Sequence, residues 1–242
     1  MIAQPCDKKV VQKVGGTIER FTLLLVALFS LFLVAPLSWL IKTYLFSEIG
    51  ALLLISVLSV DILLAALFAS DRRRDRTIAW FLAIPSLAAY GLCLVADNNL
   101  LWGVAHALGV AFLVYTMIVV ARYVFRATRV TWNTVSAALC IYLLFGVAYA
   151  LLYAILLLLD PGSFSWSAGE EAWTEFESEF LVTALYYSLV TMTTLGYGDV
   201  TPTTPVTQMA ASVQALVGQL YVAVLIARLV GLHVAEAMTE RE

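Results

Sequence analysis

Charged residues are scarce in this chain. Only 13% of its 242 residues are Asp, Glu, Lys or Arg, and 62% are apolar, whereas soluble proteins average about a quarter charged and about half apolar. The few charges are clumped, with long stretches between them carrying almost none, so no soluble domain of useful size is expected. Histidine is rarer still. His106 and His233 stand isolated, without a nucleophile–base pair or metal-ligand spacing around them, so no enzyme is expected; a nucleic-acid partner is not expected either. The three cysteines, Cys6, Cys93 and Cys140, are spaced for neither a disulfide framework nor a metal site. No cleavable signal is expected: the first apolar run follows Lys8, Lys9, Lys13 and Arg20 but is too long, and no small-residue cleavage site precedes Lys42, so it reads as a retained first span.

Long apolar runs are what the chain has instead. Six of them, near 18–41, 49–69, 77–96, 99–121, 134–159 and 205–232, exceed the roughly 18 residues that cross a bilayer as a helix. The fold class expected is therefore an all-α membrane protein with six transmembrane helices. Lys and Arg near span ends mark the cytoplasmic side. With the N-terminus inside, only Lys42 of the 14 Lys and Arg lands outside. That threading makes the chain multi-pass in the cytoplasmic membrane, with short cytoplasmic tails at 1–17 and 233–242.

Residues 18–121 then form a four-helix N-terminal transmembrane domain. Asp61 lies mid-membrane in its second span and must face protein. His106 sits about five helix steps shallower, roughly 8 Å at 1.5 Å per residue, so the partner of Asp61 stays unassigned. The basic run Asp71–Arg76 reads as a topology anchor, with anionic membrane lipid as its possible ligand. Arg122, Arg126 and Arg129 share one helical face, which predicts an interfacial linker helix over 122–133. The fourth span, Asn99 to Ala121, contains no arginine. Each charge moved across the membrane is worth about 2.3 kcal/mol per 100 mV, and steep voltage gating needs several, so strong voltage dependence is not expected.

Residues 134–232 have a different organisation. Span five stops at Asp160-Pro161-Gly162. An acidic outer loop follows, with Glu170, Glu171, Glu175, Glu177 and Glu179, and with Trp166 and Trp173 as interfacial anchors. It either concentrates cations or is plainly solvated. Residues 179–193 are too short to span a bilayer; with Ser178 as N-cap, they predict a re-entrant helix whose C-terminal carbonyls favour a cation. The chain continues Thr193-Thr194-Leu195-Gly196-Tyr197-Gly198-Asp199. Gly196 and Gly198 tolerate positive φ, so successive carbonyls can point one way, where a strand alternates them. Such a row replaces the water around a bare cation, and the Thr194 hydroxyl adds an oxygen at its inner end. One loop supplies only part of a cage, so a homotetramer around residues 194–198 is expected.

Over residues 132–232, the sequence Thr194-Leu195-Gly196-Tyr197-Gly198-Asp199, between two apolar helices, resembles the pore of six-transmembrane, bacterial-type potassium channels with a single pore loop. Their selectivity filter usually reads Thr-Val-Gly-Tyr-Gly. The resemblance implies passive K+ conduction, with Thr194, Leu195, Gly196, Tyr197 and Gly198 coordinating K+, the permeant ion. It also implies that the filter, 194–199, is supported by Thr193, Tyr186, Tyr187 and Asp199. Tyr197 would point away from the axis and brace near Tyr186 and Tyr187, which stand where many members carry tryptophan. Asp199 would hydrogen-bond behind the filter. Leu195 replaces the usual valine, a mild change because its carbonyl meets the ion. Val190 stands where some bacterial members carry a glutamate that pairs with the filter aspartate. Gly218 falls near the family's hinge glycine and reads as a gating hinge, with close helix packing as the alternative. Val222, Ile226 and Val230, at i+4 spacing, are expected to line the inner mouth. About ten residues follow, too few for a nucleotide or calcium sensor. The alternatives are a voltage-gated potassium channel and a non-conducting regulatory subunit of another channel.

Overall fold

A computed structural model describes residues 21–33, 73–93, 96, 98–166 and 177–239. The expected span 49–69 and its Asp61, the tail 1–17, Lys42, Trp173, Glu170, Glu171 and Glu175 lie outside the described residues. In chain order the elements are α1 (Phe21–Leu33), α2 (Arg73–Cys93), α3 (Asn99–Arg126), α4 (Trp132–Leu159), β1 (Phe164–Trp166), α5 (Glu177–Met192), β2 (Val200–Pro202) and α6 (Pro205–Thr239). Among the described residues, four helices are long and apolar enough to cross a membrane: α2, α3, α4, and α6 as far as Ala235.

Local chemistry sets most boundaries. The Asn98 side chain accepts from the Leu100 N–H at 2.9 Å and starts α3. Thr131, extended at φ −118° and ψ 159°, caps α4 by accepting from the Thr134 N–H. At the other end of α4, Asp160 accepts from the Gly162 N–H at 3.1 Å, closing the Pro-Gly turn that stops the helix. Besides α6, which runs to Thr239 and so takes in most of the tail expected at 233–242, three boundaries differ from the sequence expectation. Arg73, Arg74 and Arg76 occupy the first turn of α2, which starts before the expected 77. Helix α5 begins at Glu177, so Ser178 lies inside it and is not its N-cap.

The third difference concerns the linker. Residues 122–133 do not form a separate interfacial helix: α3 runs unbroken to Arg126, and after a short break α4 starts at Trp132. The end of α3 is met by a contact from far along the chain. The Arg228 guanidinium, on α6, donates to the carbonyls of Val124, Phe125 and Ala127 at 3.2, 2.8 and 3.1 Å, and sits 5.2 Å from the Phe125 ring centre. It thus satisfies the carbonyls that a helix C-terminus leaves free and complements the negative end of its dipole. Arg228→Gln should cost about 1 kcal/mol in thermal stability and speed amide exchange at the end of α3. Unchanged exchange there would remove Arg228 from this capping role.

Helix α4 is the centre of the packing. It is lined with buried small and aliphatic residues, among them Ala137, Leu144, Leu151 and Ala154, which let α1, α3 and α5 approach it. The Cys140 thiol meets the Phe21 carbonyl on α1, and the Tyr221 hydroxyl of α6 donates to the Ala138 carbonyl at 2.7 Å. Two short strands interrupt the otherwise helical fold. β1 and β2 pair antiparallel with Phe164 opposite Pro202 and Trp166 opposite Val200, tying the segment after α4 to the segment after the 193–199 loop. Thr207 reinforces the tie by donating to the Ser163 carbonyl at 3.0 Å.

Helix α6 contrasts with α4. Within their most apolar windows, 56% of the α4 residues are buried but only 6% of those in α6. Val213, Val217, Leu220 and Val224 leave one side of α6 open.

Candidate pore loop and its supports

The loop that follows α5 is anchored before it turns. The Thr193 N–H bonds to the Leu189 carbonyl and the Thr194 N–H to that of Thr191, both at 3.0 Å. The Val190 carbonyl then accepts twice, from Leu195 N–H at 2.9 Å and Gly196 N–H at 3.4 Å. Val190 itself is buried. The first residues of the loop are therefore held by the last turn of α5. The Thr193 hydroxyl donates to the Leu189 carbonyl at 2.7 Å, and that of Thr194 to the Thr193 carbonyl at 2.6 Å.

Beyond that anchor the backbone alternates. Thr194, Gly196 and Gly198 have φ of 60°, 58° and 79°, so every second residue is left-handed and the residues between are not. The two glycines adopt this region without steric cost. Thr194 does so despite its branched side chain, at a cost of about 1–2 kcal/mol, and is held there by its N–H bond to Thr191. Alternating handedness turns successive peptide planes to the same side, which is the condition for a row of parallel carbonyls. The segment is exposed in the single chain, with Leu195 at 56% and Tyr197 at 67%.

The supporting residues separate into two groups. Tyr186 donates to Asp199 Oδ2 at 2.6 Å, and Asp199 Oδ1 accepts from the Val200 N–H at 3.1 Å, so the two ends of the loop are bridged. The phenol is the donor in this bond, since the carboxylate can only accept. Tyr186→Phe should lower thermal stability by about 1 kcal/mol without unfolding the chain; an unchanged melting temperature would show that the bond contributes nothing. Tyr187 turns the other way. Its ring packs edge-on against Tyr153 and Phe164, with centroids 5.0 and 5.2 Å apart. Tyr187 therefore belongs to the interior behind α5, and within one chain the exposed Tyr197 ring is not braced by it.

On α6, Gly218 lies against the end of α5. A Cβ placed there would come within 2.8 Å of Met192 Cγ and 3.0 Å of the Met192 carbonyl oxygen. The helix continues through this position without a break, and Gln219 donates to the same Met192 carbonyl at 3.4 Å. Ile226 and Val230 are exposed, and Val222 is half-buried.

His106, isolated in the sequence, has a partner in the structure: its Nδ1 pairs with the Tyr90 hydroxyl at 3.0 Å, between α2 and α3. Sequence reasoning missed other polar residues behind the loop, namely Tyr153, Ser188, Gln214 and Gln219, and the capping role of Arg228 at the end of α3. The signal available for them was polarity inside otherwise apolar helices, where polar groups need partners. Among the described residues, no group of three or more His, Cys, Asp or Glu side chains is placed to hold a metal.

Comparison with known proteins finds relatives for the part of the chain that holds this loop. Residues 137–233 match a family described as ion channel. The chain is similar to "Two-pore potassium channel 5" of Arabidopsis thaliana, 36% identical over 67 residues, which cover 28% of this chain and 16% of that protein. It is also similar to "Two pore potassium channel c" of Oryza sativa subsp. japonica, 36% identical over 89 residues, covering 37% of this chain and 16% of that protein. The matched part thus spans about a sixth of each relative, and no solved structure matches. Residues 137–233 are thus similar to ion channels, in a chain whose described residues include four helices long and apolar enough to cross a membrane.

Proposed function

We propose that four copies of this chain surround residues 194–198 and conduct K+ passively through the membrane. The observation that carries this reading is the left-handed backbone at Thr194, Gly196 and Gly198, at the end of a helix too short to span a bilayer. Four such loops would stack rings of carbonyl oxygens that stand in for the hydration shell of K+. Thr194, Leu195, Gly196, Tyr197 and Gly198 coordinate the ion in this reading; Thr193, Tyr186 and Asp199 hold the loop, and Tyr187 holds the helix behind it. Assembly draws on two open surfaces, the exposed loop and the exposed side of α6, where neighbouring copies would also cover Tyr197. Val222, Ile226 and Val230 form the inner mouth.

In this reading the protein is a bacterial-type channel with six spans, both termini cytoplasmic, in the cytoplasmic membrane and in contact with its lipids. No enzymatic step belongs to this reading. Conduction depends weakly on voltage because α3 carries no arginine before Arg122. One observation favours a voltage-gated version: Arg228 ties the inner end of α3 to α6, so movement of α3 would reach the inner mouth. A current–voltage series on reconstituted protein separates the two. Near-constant conductance from −100 to +100 mV (about the range over which several charges would act) supports the first reading, and steep activation supports the second.

A further inference from the structure

Buried between three helices is a closed chain of hydrogen bonds that the conducting loop does not itself require. Gln214, on α6, is fully buried. Its Oε1 accepts from the Tyr153 hydroxyl of α4 at 2.6 Å. Its Nε2 donates to both the carbonyl and the hydroxyl of Ser188 on α5, at 3.1 and 2.6 Å. The Ser188 hydroxyl in turn donates to the Gly146 carbonyl, back on α4, at 2.6 Å. The circuit leaves α4 at Tyr153, crosses α6 and α5, and returns to α4 two turns away. Both amide hydrogens and the amide oxygen of Gln214 are used.

The position of this circuit matters more than its strength. Hydrogen bonds between membrane helices add modestly to stability, because the separated helices find other partners. Ser188, however, lies two residues before Val190, whose carbonyl holds Leu195 and Gly196. It lies four residues before Met192, which packs on Gly218 and accepts from Gln219. A shift of α5 at Ser188 is therefore passed directly to the first carbonyls of the loop. Tyr187, the residue before Ser188, is locked on the same Tyr153 ring.

We propose that Gln214 is a positioning residue for selectivity: through Ser188 and Tyr153 it sets the depth of α5 and so the spacing of the carbonyls that distinguish K+ from the smaller Na+. This rests on the reading of the chain as a potassium-selective pore. Replacing the amide by a side chain of similar size removes the circuit and lets α5 settle, with a looser ring as the result.

The test uses the purified full chain in liposomes, with the K+/Na+ permeability ratio read from the bi-ionic reversal potential and the oligomer followed by size. Gln214→Leu and Ser188→Ala are expected to keep the tetramer and lower the ratio about tenfold, the scale of one lost hydrogen bond. The double variant Gln214→Leu with Tyr153→Phe should be no worse than Gln214→Leu alone, because the two act as one unit. Should Gln214→Leu fail to assemble, Tyr153→Phe, which keeps the ring, decides by the same ratio. Lower melting temperatures with an unchanged ratio would overturn the proposal and leave the circuit a structural tie. A wild type without selective K+ flux would overturn the pore reading as well, and is thereby distinguished from failure of the positioning role alone.

Discussion

Gly196→Ala abolishes K+ flux while the tetramer still forms: this is the largest effect the proposed pore predicts. Gly196 has φ of 58°, and a Cβ at this position would meet nothing within 4 Å in the single chain. The penalty is therefore conformational and not a clash. An alanine in the left-handed region costs about 1–2 kcal/mol, and four copies around one axis multiply this to about 4–8 kcal/mol. The relief available is rotation of the flanking peptides, which turns carbonyls out of the row. The helices that hold the chain together are untouched, so assembly and folding should survive. Flux in liposomes and particle size measure the two halves of this statement. Normal flux from Gly196→Ala protein would mean that left-handed backbone at 196 is irrelevant to conduction.

Gly218→Ala should also have a large effect, of a different kind. Its Cβ would lie 2.8 Å from Met192 Cγ and 3.0 Å from the Met192 carbonyl oxygen. The side chain can give way, but the carbonyl belongs to the last turn of α5, which holds the loop. Overpacking of this type costs about 1–3 kcal/mol, so the melting temperature should fall and flux should drop with it. A glycine that served only as a hinge would behave otherwise: alanine would leave the melting temperature unchanged and reduce the fraction of time spent open. Scanning calorimetry together with single-channel recording separates them. An unchanged melting temperature with rare openings would favour the hinge over close packing.

What was legible in the sequence was local. Span five, read as 134–159, emerges as Trp132–Leu159 because Thr131 and Asp160-Pro161-Gly162 carry their stop chemistry in adjacent residues. Gly196 and Gly198 were legible as positions that tolerate positive φ, and both adopt it. Thr194 did not announce its left-handed backbone, since threonine has no preference for it; hydrogen bonds to the end of α5 impose it. The same holds for the end of α3. The arginine spacing at 122, 126 and 129 suggested a helix across 122–133, but α3 breaks after Arg126, where its carbonyls are capped by Arg228, about a hundred residues later in the chain, a contact that no local pattern encodes. Tyr186 and Tyr187 look equivalent side by side. Adjacent helical residues face different directions, and α5 turns one toward Asp199 and the other toward Tyr153. Pairing of Phe164–Trp166 with Val200–Pro202 joins segments separated by the whole of α5 and the loop, too short and too distant to be seen as strands.

Ion flux through liposomes that contain only this purified chain tests the central claim most directly. The account predicts that K+ leaves such vesicles down its gradient, that Na+ under the same gradient is retained, and that the protein carrying the flux has the mass of four chains. Equal passage of Na+ and K+, or K+ flux from particles with the mass of one chain, would contradict it.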